Sequence, residues 1–180
     1  SMGKKSTVNY NNVTAFVACL AFSYNSDNVN ININGGEYYA IAQSDAGQTA
    51  FIETRANVTL TAKDAIFCMT NFATGKNYYL LSGTNNYTDG QEKYNNYSFT
   101  NCDIVRNDKG KIVLYTNEFT EILLNNCRVY GTLNNGNHYS VDSNQGTAAS
   151  KSGLYVIGSG TRLLKNTTGW LSSATYIESN

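Results

Sequence analysis

The sequence predicts an all-β chain wound as a solenoid, with coils of about 25 residues stacked in parallel and loops protruding between them. Three observations carry this expectation. Tyr97-Ser98-Phe99-Thr100-Asn101-Cys102-Asp103-Ile104-Val105 and Ile122-Leu123-Leu124-Asn125-Asn126-Cys127-Arg128-Val129-Tyr130 share one alternation and one Asn-Cys step, at an offset of 25 residues. Residues 29–34 and 57–62 alternate as strictly, and Ile33 to Leu60 spans 27 residues, close to the same period. The chain has no Pro, fifteen Gly and fourteen Tyr, is rich in Asn, Thr and Ser, and is poor in strong helix formers other than Ala. That composition favours strands joined by Asn/Gly turns.

Period-2 apolarity on both sides of Asn-Cys reads as two short strands meeting at a tight corner. Strands put successive side chains on opposite faces, and Asn tolerates the left-handed backbone that a corner needs. Between the two copies, residues 106–111 form a turn and residues 111–116 a third strand. On these residues the chain resembles the right-handed parallel β-helix proteins, the pectate-lyase-like and phage-tailspike group. The resemblance implies an Asn ladder with Asn101 and Asn126 as rungs, and Cys102 and Cys127 as neighbouring interior rungs. A β-sandwich of the jelly-roll kind is the alternative fold.

In chain order, Ser1-Met2-Gly3 reads as an expression remnant, and residues 4–180 as one domain, since 180 residues suit a single core. Residues 13–22, apolar except for Thr14 and preceded by Lys4-Lys5, read either as a secretion signal or as a first strand or short capping helix closing the solenoid. The lack of a clear cleavage site favours the cap. The stretch is shorter than the ~20 residues of a bilayer-spanning helix, so no membrane span is expected. Gly35-Gly36 turns the chain after residues 29–34; residues 48–54 are a middle strand, and residues 65–69 continue the core after Leu60. Residues 82–96 have no apolar period and read as a protruding loop, as do 134–138 and 142–152. Residues 153–158 are a strand, residues 162–166 weakly echo 122–126 at an offset of 40, and Trp170 and Leu171 cover the last coil.

Thirteen basic and thirteen acidic side chains cancel, so nothing drives counterion release from a phosphate backbone and nucleic acid is not an expected partner. The four cysteines, Cys19, Cys68, Cys102 and Cys127, are widely spaced in a chain large enough to fold without bridges. Buried thiols are the favoured state, with a Cys102–Cys127 bridge as the alternative. With no CxxC and a single His there is no zinc pattern, and no metal site is expected. His138 stands in an Asn/Gly loop without a nucleophile motif and reads as a solvated residue. The N-x-S/T triplets at Asn12, Asn57, Asn86, Asn96 and Asn166 are what chance gives in a chain this rich in Asn and Thr.

Tyr78, Tyr79, Tyr87 and Tyr94, with Asn86 among them and Tyr38, Tyr39 and Tyr97 beside them in the pattern, supply rings that stack on sugar faces and amides that bond to sugar hydroxyls. Their competing reading is ordinary sheet decoration. The expectation is an extracellular carbohydrate-recognition or adhesion module without catalysis or cofactor, secreted or displayed on a cell surface or virion. Its partner would be a polysaccharide or cell-surface glycan, and the chain would be able to trimerise; a spike segment that trimerises and binds nothing is a further possibility. The rival comes from the resemblance, which implies a polysaccharide lyase or glycoside hydrolase working on the outer face, with calcium as cofactor in the lyase case. Its candidate residues are Asp103 and Arg128, outward on adjacent coils about 4.8 Å apart, with Glu121, Arg106 and Asp108. The competing reading of Asp103 and Arg128 is a cross-strand ion pair on a solvated face.

Overall fold

The computed structural model describes residues 5–23, 28–41, 50–55, 57–69, 79–84, 95–106, 112–116, 120–130, 132–135 and 154–163. Within them every regular element is a strand: β1 (Thr7–Val17), β2 (Ala21–Ser23), β3 (Val29–Ala40), β4 (Ala50–Arg55), β5 (Val58–Lys63), β6 (Ile66–Met69), β7 (Tyr79–Thr84), β8 (Asn95–Thr100), β9 (Asp103–Arg106), β10 (Ile112–Thr116), β11 (Thr120–Asn125), β12 (Arg128–Tyr130), β13 (Thr132–Asn135), β14 (Leu154–Ile157) and β15 (Arg162–Leu163). The local reason is the alternation itself: Val29, Ile31 and Ile33 are buried while Asn30, Asn32 and Asn34 turn outward, a pattern only a strand can satisfy.

Ten strands form one curled parallel sheet, in the order β14-β11-β8-β5-β3-β6-β9-β12-β15, with β1 laid on β3. Strand β3 sits at its centre because it is long enough to pair with β5 through Val29–Asn34 and, past Gly35-Gly36, with β6 through Glu37–Ala40. The same bend therefore divides the sheet into two arms. A second parallel sheet runs β13-β10-β7-β4-β2.

The bend is fixed by one column of left-handed residues. Asn12 (φ 50), Gly35 (φ 66), Asp64 (φ 53), Asn101 (φ 54), Asn126 (φ 50) and Gly160 (φ 73) succeed one another from strand to strand. Asn and Asp are the L-residues that enter this region most cheaply, which explains their recurrence at each corner. Gly35 needs its missing Cβ as well, since a side chain there would strike the Asn12 amide. A second column, Lys5 (φ 57), Asn28 (φ 56) and Asn57 (φ 49), marks the entry to β1, β3 and β5.

The core lies between the two sheets. Ile31, Ile33, Leu60, Ala62, Phe99, Ile122 and Leu124 come from one arm, Tyr38, Phe67, Ile104 and Val129 from the other, and Ile52, Leu81 and Leu114 from the smaller sheet, in one cluster. Each large apolar side chain so buried contributes about 1.5–3 kcal/mol. An aromatic series threads it: Tyr10 meets Tyr38 edge-on at 6.4 Å, Tyr38 stacks on Phe67 at 5.3 Å, and Phe67 meets Phe99 edge-on at 5.7 Å.

Several sequence expectations are corrected. The repeat is not uniform: equivalent corner residues are 23, 29, 37 and 25 apart along the chain. Leu60 pairs with Ile31, not with Ile33, and on its other side with Tyr97, so a two-residue slip hid the true period. Of the two forms expected for the cap at residues 13–22, the first strand is the one found and the helix is not: they open with the second half of β1 and end in β2. Gly35-Gly36 is a corner inside β3, not the end of a strand. Asn134 and Asn135 belong to β13 rather than to a loop, and the stretch 82–96 is strand at both ends, residues 82–84 closing β7 and residues 95–96 opening β8. The echo of 122–126 in 162–166 is coincidental, since β14 pairs with β11 and Arg162 with Arg128. Trp170, Leu171 and His138 lie outside the described residues.

Candidate functional site

The outer surface of the first arm is built by β1, β3, β5, β8 and β11, whose core-facing residues leave every second side chain pointing to solvent. Strand register then stacks these outward residues in three files. Thr7, Asn30, Thr59, Asn96 and Glu121 form one; Asn9, Asn32, Thr61, Ser98 and Leu123 the next; Asn11, Asn34, Lys63, Thr100 and Asn125 the third. Of these fifteen positions only Lys63 and Glu121 carry charge.

The amides in these files are already organised. Asn32 Nδ2 donates to Asn9 Oδ1 at 2.8 Å, and Asn34 Nδ2 to Asn11 Oδ1 at 3.0 Å. Beside them the corner column does the same, with Asn101 Nδ2 donating to Asp64 Oδ1 at 3.0 Å and Asn126 Nδ2 to Asn101 Oδ1 at 2.7 Å. Side chains fixed by their neighbours lose little further entropy on meeting a ligand. The result is a regular surface of amides and hydroxyls.

Across the bend, the second arm carries the charged candidates. Arg128 on β12 stands opposite Asp103 on β9, as the alternation required, and the two form a bidentate ion pair: Nε to Oδ1 at 3.0 Å, and the terminal NH2 to Oδ2. The carboxylate raises the Arg128 guanidinium above its ordinary range, through the hydrogen bond first and charge second. Arg128 is 58% and Asp103 29% exposed, so the pair is a solvated surface bridge, of the kind worth about 0.2–1 kcal/mol. Glu121 is the second residue of β11 on the first arm, at the far end from the corner, and is not brought beside them. Arg106 closes β9, and Asp108 lies outside the described residues. Among the described residues no three His, Cys, Asp or Glu side chains converge on a metal position.

The aromatic candidates divide. Tyr38 and Tyr97 are core residues: the Tyr38 hydroxyl donates to Gly35 O at 3.1 Å, and the Tyr97 hydroxyl bonds the Thr54 hydroxyl, so both belong to sheet packing. Burial raises the Tyr97 phenol well above its usual range. Tyr39 faces out, stacked on Phe16 at 4.6 Å with the rings 6° from parallel, and donates to Glu37 Oε2 at 2.8 Å. Tyr79 begins β7, while Tyr78, Asn86, Tyr87 and Tyr94 lie outside the described residues. Phe16 was missed as an outward ring because residues 13–22 read as an apolar run; the strict alternation Val13, Ala15, Val17 against Thr14, Phe16 was the signal that would have found it.

Cys102 and Cys127 are adjacent interior rungs, buried and free, each donating to backbone oxygen: Cys102 to Thr100 O at 3.3 Å, Cys127 to Phe99 O at 3.3 Å. The contact between the two thiols, together with burial, pushes Cys102 up, while the same contact draws Cys127 down against the opposing effect of burial. No helix of the described chain is long and apolar enough to cross a membrane. No protein-family profile, curated protein or solved structure matches the chain.

Proposed function

We propose that the chain is a right-handed parallel β-helix that recognises carbohydrate, a polysaccharide or cell-surface glycan, without chemical turnover, outside the cell or on a virion. The observation that carries the reading is the nearly uncharged outer surface of the first arm, where Asn, Thr and Ser repeat in register over β1, β3, β5 and β8 and Asn125 continues one file on β11. A sugar offers hydroxyls that both donate and accept, and amides and hydroxyls answer both demands, whereas a charged surface would favour ionic ligands. Strand spacing of about 4.8 Å sets these groups in regular rows, as an extended polymer requires. Tyr87 and Tyr94 supply stacking rings from residues 82–96.

A glycan array probed with the purified chain, with calcium and with chelator, tests this reading, and the retained sugars are then examined for cleavage. Binding of intact glycan, weakened about tenfold by replacing Asn32 and Thr61 together with Ala, is the expected result; loss of two hydrogen bonds at about 0.5–1.5 kcal/mol each gives that scale. Absence of binding to any glycan, or release of shortened or unsaturated sugars, would overturn it. In the second outcome an Arg128→Ala variant decides whether the Asp103–Arg128 pair carries the turnover.

A further inference from the structure

We propose that the free edge of β1 is a docking surface for β1 of a second copy of this chain, joined across a two-fold axis. Strand β1 pairs with β3 along one edge, and among the described residues nothing pairs with the other. Its core-facing residues show what is missing. Val8, Tyr10, Ala15 and Val17 are only half-buried, whereas their partners on β3, Ile31, Ile33, Tyr38 and Ala40, are fully buried. One further layer of strand would give β1 the same cover.

The polar groups at this edge point the same way. Asn9 and Asn11 use their amide oxygens to accept from Asn32 and Asn34, which leaves their NH2 groups directed away from the sheet. Phe16 lies with one ring face on Tyr39 and remains 59% exposed. Charge and proline are two of the devices that keep edge strands single, and Thr7–Val17 contains neither. Eleven uncharged, half-apolar residues make an adhesive edge.

Self-complementarity identifies the occupant. The corner at Asn12 divides β1 into arms of equal length, Thr7–Asn11 and Val13–Val17, so a two-fold axis beside the corner lays each arm antiparallel on the other arm of the second copy. With Tyr10 opposite the partner's Val13, Val8 falls opposite the partner's Ala15, and core-facing residues meet core-facing residues. The same register sets the Asn9 amide donor opposite the hydroxyl of the partner's Thr14, and Asn11 opposite the amide of the partner's Asn12. The outer surface of the first arm stays in water on both copies, so this inference does not depend on carbohydrate binding.

Analytical ultracentrifugation of the full chain over a wide concentration range tests the proposal, with circular dichroism of every variant to verify folding. The expected result is a reversible species of twice the chain mass. Asn11→Lys places two like charges close to the axis on an exposed side chain, and should weaken the dimer more than about tenfold without changing the spectrum, because like charges facing across an interface oppose association. Thr59→Lys, an equally exposed change on β5, should leave the dimer intact. A chain that stays monomeric, a trimer or open-ended polymer, or a dimer indifferent to Asn11→Lys would each overturn the proposal.

Discussion

Asn126 donates its side-chain amide to Asn101 Oδ1 at 2.7 Å, and both residues hold a left-handed backbone, φ 50 and 54. Each thus does two things at once: it turns the chain between β11 and β12 or between β8 and β9, and it ties its corner to the corner beneath. The direction of the chain of bonds is set by Asp64, whose carboxylate can only accept, so Asn101 must donate downward and accept from above. Asn is therefore specified twice at these positions, by φ and by its paired donor and acceptor.

Replacing Asn126 or Asn101 by Ala should cost about 1.5–3.5 kcal/mol in urea unfolding. The sum comprises the penalty of roughly 1–2 kcal/mol for a left-handed residue bearing Cβ and about 0.5–1.5 kcal/mol for the rung. Asn126→Gly separates the two, since it relieves the backbone and still loses the bond. Equal losses for Ala and Gly would mean that φ is not what selects Asn there.

This corner was legible in the sequence because the Asn-Cys step recurs with alternation on both sides of it. The long central strand β3 was not, since Gly35-Gly36 ordinarily ends a strand and here bends one. The register from Leu60 onward was misplaced for a related reason: period-2 alternation leaves the facing of side chains unchanged by a two-residue slip, so only the corner residues distinguish Ile31 from Ile33 as the partner. Asp103 and Arg128 were paired correctly because their positions count from the same corner. Tyr38 and Tyr97 were read among surface rings because Tyr suits either side of a sheet, and only their hydroxyl partners, Gly35 O and Thr54, reveal how the core accommodates a phenol.

The thiols should divide into two reactivity classes. Cys102 and Cys127 are buried, whereas Cys19 and Cys68 are half-exposed. In native protein a thiol reagent should modify Cys19 and Cys68 first, slowed by the burial that raises both, with Cys102 and Cys127 reacting only as the fold opens. Peptide mapping after a timed exposure reads the order. Early labelling of Cys127 would contradict its interior position.

The aromatic series predicts a localised weakness. Phe67 touches both Tyr38 and Phe99, so Phe67→Ala removes the middle of the series and should destabilise by about 3–5 kcal/mol. Phe67→Leu retains most of the volume and should cost about half as much or less. Chemical denaturation of the two variants checks the ratio; similar losses would show that ring stacking rather than volume holds this region.

Alkaline pH should expose the buried phenol. Tyr97 is inside the core, and its folded-state pKa is raised by desolvation, which outweighs the opposing hydrogen bond from Thr54. A raised folded value means that the contribution is complete below the unfolded pKa of about 10 and is lost as pH rises beyond it, because the unfolded chain releases a proton that the folded chain keeps. The loss approaches about 1.4 kcal/mol per pH unit for this one group. Tyr97→Phe should be less stable than the parent at neutral pH by about 0.5–1.5 kcal/mol, for the missing bond to Thr54, yet decline less steeply above pH ~10. Tyr10 and Tyr38 are raised by burial too and remain in the variant, so the difference between the two stability curves isolates Tyr97. Parallel curves through the alkaline range would place the Tyr97 hydroxyl in contact with solvent and move it out of the core.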